Sequence, residues 1–444
     1  MTDCSTEISP FPLQRLPVVV RDDGGEITSD AGVLLVRELD ERLGLTKRLV
    51  QCIPDTRNQT KVHHSMLGLL RQRIYQIACG YEDCNDADTM RTDAGLKLAV
   101  GKAPHEEDLA SQPTLCRLEN APGPRQCYRI SEAFVAAYIA RHQDKPPLRI
   151  VLDVDATDDE CHGAQQLAFF NGYYDERCYL PLLVFAQAEG VGEQELIAAV
   201  LRPGNVHAGH RAMAIVTRII ARLRAAFPHC RIELRSDSGL ASPEAYEACE
   251  AIELPYVISL PKNERLKRLA EGWMEDARAI HEETGEKIQR FGEFVYAAES
   301  WSHSRRVIVK AEVMSEGDNP RFVVTNRTDS DPESLYRYYC QRGDPENRIK
   351  ELKEGLHADR LSCHDFWANQ FRLLLYGAAY VLMQAMRAAL TGTEFATAQV
   401  STLRQSLLKV GARVRQSVRR VLVQLPSSHR WLHLWPRLIR AVPA

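Results

Sequence analysis

Tyr339 to Lys353 reads Y-C-Q-R-G-D-P-E-N-R-I-K-E-L-K, and the rest of the chain is organised around it. Asp344-Pro345 has the form of a helix start, with Asp as the cap and Pro at the first helical position. From there Glu346 and Lys353 fall two turns apart on one face. Ile349, Leu352 and Leu356 make an adjacent apolar stripe that can dock the helix on a core. Tyr339 and Arg342 stand just upstream, beyond the break at Gly343. A carboxylate, a lysine, an arginine and a phenol on one surface suit a divalent metal together with phosphate oxygens. A solvated amphipathic helix also carries Glu and Lys in this pattern, so the stretch alone leaves both readings open. Two carboxylates upstream, each at the end of a predicted strand, tip the balance.

The first lies in Arg149 to Asp155 (R-I-V-L-D-V-D), where alternation puts Asp153 and Asp155 on one face and Leu152 and Val154 on the other. Strands are further predicted over 179–188, 193–201, 231–235 and 256–260, with helices over 211–227 and 242–251. The fourth strand runs into Ser236-Asp237-Ser238-Gly239. Hairpin-like strands followed by alternating helices and strands predict a mixed sheet with helices on its faces. In such sheets ligands gather at the carboxyl ends of strands, where Asp155 and Asp237 fall. Three acids on separate rigid elements suit two-metal phosphoryl transfer, because each hard cation takes only one or two carboxylates.

The composition sets bounds on this reading. The 56 basic and 59 acidic residues nearly cancel, so any surface for a polyanion must come from local clustering. Leu201 to Arg231 lacks acids and carries Arg211, Arg218 and Arg222 in a stripe opposite Ile215, Ile219 and Leu223. Ser401 to the C-terminus also lacks acids, and Leu407, Leu408, Val414, Val418 and Val421 suggest an amphipathic helix with an arginine face. Such stripes are either solvated helix faces or phosphate contacts. Twelve scattered cysteines without a C-x-x-C predict a reduced, cytosolic thiol population rather than a zinc module. No signal pattern is visible, and the apolar run Leu373 to Met386 is too short to span a bilayer.

The remaining segments give a domain plan. Residues 1–145 read as a helical N-terminal DNA-binding domain, with a short hairpin over 16–28 and helices over 62–79, 86–100 and 106–119, but no sharp helix-turn-helix signature. Asp144-Lys145-Pro146-Pro147 reads as a boundary. Residues 146–263 and 331–390 would form the catalytic domain, 264–330 a β-rich insertion within it, and 391–444 a basic helical tail.

L-D-V-D-A-T-D-D (152–159), L-R-S-D-S-G (234–239) and Y-x2-R-x3-E-x6-K (339–353) together resemble the DDE transposases of bacterial insertion sequences. The branch is the one with a Tyr-Arg-Glu-Lys signature and a β-rich insertion in a ribonuclease-H-like domain. T-S-D-A-G-V-L-L (28–35) and E-N-R-I-K-E-L-K (346–353) resemble the insertion-sequence family numbered thirteen-eighty. The resemblance implies that Asp155, Asp237 and Glu346 bind two Mg²⁺ or Mn²⁺ ions, Asp155 being preferred to Asp153 because D-A-T matches a D-x-T phrase. It also implies that Tyr339, Arg342 and Lys353 contact phosphates of transposon-end DNA. Trp301 is a candidate to receive a flipped base, with a core tryptophan as the alternative. Further implied are target DNA as a second substrate, a homodimer in the DNA synapse, and a bacterial cytoplasmic, nucleoid-associated location without membrane attachment. Another ribonuclease-H-like nuclease, or a silent DNA-binding derivative, would share part of this pattern.

Overall fold

In the computed structural model, which describes residues 7–8, 12–13, 16–191 and 194–440, the central strand is β1 (Arg149–Ala156). Its apolar residues Ile150, Leu152 and Val154 face one side, as the alternation requires. β2 (Leu182–Ala188) runs antiparallel to β1, with Leu183 opposite Asp155, and β3 (Glu195–Val200) runs antiparallel to β2. On the other side β4 (Arg231–Ser236) is parallel to β1, with Arg235 opposite Asp153, and β5 (Tyr256–Leu260) is parallel to β4. Beyond β5 the same sheet continues through β6 (Ile288–Tyr296), β7 (Arg305–Met314) and β8 (Arg321–Thr325) in the order β5-β8-β7-β6, all antiparallel. The β-rich stretch expected between 264 and 330 thus extends the sheet edge to edge. The result is a mixed α/β fold.

Each face of the sheet is covered by a different kind of contact. On the apolar face, α1 (Pro124–His142), α2 (Ala212–Ala226) and α3 (Pro243–Ala251) bury Val135, Val216, Ile219, Leu223 and Tyr246 against Leu152, Val154, Ile232 and Leu234. The opposite face carries Val257, Ile308 and Val323, which take Leu335 and Tyr336 from α4 (Pro332–Cys340). Then follow α5 (Gly343–Lys350), a π-helical turn over Glu351–Gly355, and α6 (Phe366–Ala389). α5 begins one residue before Asp344, so the expected Asp cap is not where the helix starts; the side chains of 343–345 lie outside the described residues.

Contacts divide the chain into two units, 123–354 with 358–377, and 1–122 with 355–357 and 378–444. The proline-rich turn at Asp144–Pro147 links α1 to β1 inside the first of these. In the other unit, helices Val33–Leu43 and Met66–Cys79 form much of the core, and the stretch predicted as one helix over 86–100 is two, Asp86–Met90 and Ala94–Val100. The break falls at Asp93, whose carboxylate caps the second helix by accepting from the Leu96 N–H. The hairpin expected over 16–28 does not form. Val20–Arg21 pairs with Glu7–Ile8, and Ile27–Thr28 pairs with Ala412–Arg413. The expected C-terminal amphipathic helix is also corrected. After Val400–Leu403 the chain makes a β-hairpin, Ala412–Gln416 with Val421–Gln424. Ala412 and Val414 are buried while Arg413 and Arg415 are exposed, a period of two that the longer helical pattern had masked.

On the α4-covered face of the sheet, Asp153 and Arg235 make a bidentate pair, both contacts 2.8 Å, with each side chain 1% exposed. Gln194 donates to the same carboxylate at 2.9 Å. This pair couples β1 to β4 and occupies the Asp153 carboxylate. Removing one partner strands a buried charge, so Asp153→Ala should destabilise the protein by about 3–5 kcal/mol in urea unfolding. A loss below about 1 kcal/mol would show that the pair does not hold the strands together.

Candidate active site

Asp155 lies near the carboxyl end of β1, and Asp237 follows the last residue of β4. Parallel pairing of these strands brings their ends together, as Ser236 opposite Val154 shows. The Ser236 hydroxyl donates to the Val154 carbonyl at 2.8 Å, and the Gly239 N–H donates to Asp237 Oδ1 at 2.9 Å. One Asp237 oxygen is therefore held by the chain, and the other faces Arg342 at 4.0 Å. Arg342, in the link between α4 and α5, donates to Asp155 Oδ2 at 2.9 Å through Nη2 and to Glu346 Oε1 at 2.9 Å through Nη1. Three acids remote along the chain thus meet around one guanidinium. Asp155 is buried, Asp237 half-buried, and Glu346 is 65% exposed, which leaves the cluster open on the α5 side.

The placement of Arg342 follows from how α4 is seated. Tyr338 on α4 lies under three guanidinium groups, those of Arg149, Arg235 and Arg327, each 4.9 Å from the ring centre. Its hydroxyl donates to Glu233 of β4 at 2.7 Å, and its carbonyl accepts from Arg235 at 3.0 Å. Tyr339 packs beside Tyr336, with the ring centres 5.9 Å apart. Lys353, on the π-helical turn, donates to the Asp158 carbonyl at 2.7 Å and to its carboxylate at 3.1 Å, just past the end of β1. Tyr339, Arg342, Glu346 and Lys353 therefore border the same strand ends as Asp155 and Asp237. Asp158 and Tyr338 were not singled out from sequence. Arg235 could have been, since a charge inside the apolar strand R-I-E-L-R-S requires a buried partner.

The other predicted contacts lie elsewhere in this unit. Arg222 bonds Glu132 of α1 at 2.5 Å, and Arg218 stacks over Tyr128 of α1 at 5.6 Å, so two members of the arginine stripe fasten α2 to α1. Arg211 is exposed at the start of α2 with φ 54°. Trp301 is half-buried, edge-on to Tyr246 and Tyr296 at 5.2 and 5.3 Å and near Arg305.

The charge balance of the cluster is uneven. Burial pushes the Asp155 carboxyl up to about 7; Arg342 opposes this, while Asp237 and Glu346 add to it. The Arg342 Nε is buried without a hydrogen-bond partner. Among the described residues no three His, Cys, Asp or Glu side chains are gathered as a ready ion-binding group, and here the guanidinium is the common neighbour of the acids. The donor set still fits a hard divalent cation: three carboxylates from three elements, one of them openly exposed, against a single positive charge. In chelator, the native Asp155 holds its proton to about pH 7, whereas the unfolded one loses it near pH 4. Wild-type stability attributable to this group is complete below that lower value and is lost as the pH rises through the upper one. Asp155→Asn does not titrate, so it should exceed wild type by about 1–4 kcal/mol at about pH 8 and match it at about pH 4. A wild-type advantage at the higher pH in thermal melts would contradict this account of the site.

Residues 11–443 match the family described as transposase DDE domain, group 1. No curated protein matches the chain. Among the described residues no helix is long and apolar enough to cross a membrane. With a match spanning nearly all 444 residues, the chain belongs to the transposase DDE domain family.

Proposed function

We propose that the chain is the transposase of a bacterial insertion sequence, of the branch numbered thirteen-eighty, and that it cuts its element's inverted-repeat ends and joins the 3′-hydroxyls to target DNA. The observation that carries this reading is the meeting of Asp155, Asp237 and Glu346 around Arg342. The mixed five-strand core β3-β2-β1-β4-β5, with acids at the ends of its two central parallel strands, supports a ribonuclease-H-like catalytic domain.

Asp155, Asp237 and Glu346 are the residues that would hold a pair of Mg²⁺ or Mn²⁺ ions. When bound, such ions polarise the scissile phosphate and supply a nucleophile at neutral pH. The protein's own part is positional. Asp155 and Asp237 sit on strand ends that the sheet holds in register, so their oxygens are presented with little freedom left to lose. Arg342, released from the carboxylates, has the bidentate geometry to grip a phosphate, and Lys353 at the rim adds a second cation. Hydrolysis at the element's end and attack of the freed 3′-hydroxyl each exchange one P–O bond for another, so neither step requires ATP or a protein-linked intermediate. Each protomer of a synaptic homodimer would take one end. Exposed Arg415, Arg419 and Arg420 on the C-terminal hairpin, where no acid occurs, offer phosphate contacts outside the catalytic unit.

The test is incubation of the protein with duplexes carrying its element's terminal repeats, plus Mg²⁺ and a target duplex. Wild type should cleave at the repeat end and give joined product. Asp237→Ala should slow cleavage by about 10³-fold or more while still shifting the duplex in a gel. Nicking by that variant at the wild-type rate would dismiss the assigned site. Hydrolysis by wild type without joining would favour a ribonuclease-H-like nuclease.

A further inference from the structure

Between β1 and β2 the chain leaves the main sheet and builds a small one of its own. Asp159–Glu160, Glu176–Tyr179 and Phe169–Asn171 pair antiparallel, and the outer hairpin reads F-F-N-G-Y-Y-D over 169–175. Its rings are turned outward: Phe169 is 40%, Phe170 62% and Tyr173 87% exposed. A single exposed aromatic needs no explanation, but this short hairpin exposes three, with Phe169 and Phe170 on opposite faces of their strand.

The hairpin is held firmly. Asn171 accepts from the Tyr173 N–H at 3.0 Å through its side chain, and its Nδ2 donates to the Gly204 carbonyl at 2.7 Å. Leu167 (φ 62°) and Asp175 (φ 58°) keep left-handed backbone that side chains disfavour. A Cβ at Gly204 would lie 2.0 Å from the Cys178 carbonyl oxygen and 2.6 Å from that of Phe169, so only glycine lets the 203–211 loop pack so closely. That loop then reaches the acids, since Ala208 and Gly209 abut Gly239, two residues past Asp237. Arg202 fastens it by donating to the carbonyls of Leu180, Ala208 and His210. The loop contains no acid and exposes His207, His210 and Arg211. From the hairpin side, Tyr174 meets Tyr173 edge-on at 4.9 Å, and its phenol is pushed up by burial and then by the charges of Asp158, Asp155 and Asp237. Outward rings, a basic loop and the carboxylate cluster therefore adjoin one another within one unit.

We propose that Phe170 and Tyr173 are a stacking platform for nucleobases, receiving unpaired or terminal bases of the DNA strand whose phosphates run past His207, His210 and Arg211 to the carboxylates. The proposal rests on the DNA reading above and adds to it a base-binding site that the metal chemistry does not require. Aromatic faces accept any base, because every base has a π-face, and a neighbouring acid-free loop matches the backbone that links such bases. Apolar rings on a second protein chain would not call for that loop.

The full chain is titrated, in chelator, into a short single-stranded oligonucleotide containing 2-aminopurine. Wild type should bind and quench the fluorophore by stacking. Phe170→Ala and Tyr173→Ala should each weaken binding by about 5- to 100-fold and relieve the quenching, while Phe170→Trp and Tyr173→Phe retain both. Urea unfolding of the alanine variants checks that the exposed positions leave stability intact. Undiminished affinity and quenching in both alanine variants overturn the platform; if wild type still cuts and joins repeat-end duplexes, the transposase reading survives that result. A wild type that binds no oligonucleotide and cuts no duplex fails both. Alanine variants that alter sedimentation of the free protein with unchanged oligonucleotide affinity would assign the rings to a second copy of the chain and overturn the proposal.

Discussion

Three carboxyl groups share one guanidinium, and once ionised they leave a net negative charge that governs this unit of the chain. Arg342 reaches Asp155 and Glu346 at 2.9 Å and Asp237 at 4.0 Å, which offsets one negative charge of the three present when all are ionised. Asp155 feels the remainder most, because it is the acid removed furthest from water. Such a cluster persists only if the surrounding structure holds it against its own repulsion. A pair of divalent cations would reverse the sign of the problem and release Arg342 toward substrate phosphate.

The support comes from a sheet whose two faces are built differently. On one, Leu152, Val154, Ile232 and Leu234 pack with helices as an ordinary apolar core. On the other, Asp153, Arg235, Glu233 and Tyr338 form a polar network that seats α4. Apolar contacts alone tolerate small sliding, whereas a bidentate pair and a stacked tyrosine have one register. Since Arg342 follows directly after α4, that register sets where the guanidinium lies. The network is costly to bury and sits next to the acids, so its benefit is position more than stability.

Much of this was legible in the residues. The alternation in R-I-V-L-D-V-D and the strand running up to Ser236 match the structure to within a residue, and the stretch expected to be β-rich over 264–330 does contain three strands of the main sheet. These are long buried runs with one dominant period. Reading stalled where two periods competed, as in A-R-V-R-Q, which forms a strand and not a helix. It also failed where pairing is remote: Ile27–Thr28 finds its partner near the other end of the chain, at Ala412–Arg413. For the site, spacing in the Tyr339–Lys353 stretch found residues that do border the acids. It could not find Tyr338, which differs from Tyr339 only in which face of α4 it takes, and the preference for Asp155 over Asp153 rested on the resemblance of D-A-T to a family phrase alone. Arg235 engages the Asp153 carboxylate, and a pairing across 82 positions has no local signature. The aromatic hairpin at 169–175 has no clear mark in the sequence, because it pairs in a small sheet outside the main one.

The cation site proposed for the three acids is spanned by Arg342. Crystals of the protein soaked in Mn²⁺ and measured at the manganese absorption edge address it directly. Anomalous peaks ligated by Asp155, Asp237 and Glu346 are expected, with the Arg342 guanidinium displaced from among them. Manganese bound only elsewhere, with Arg342 still bridging Asp155 and Glu346, would contradict it.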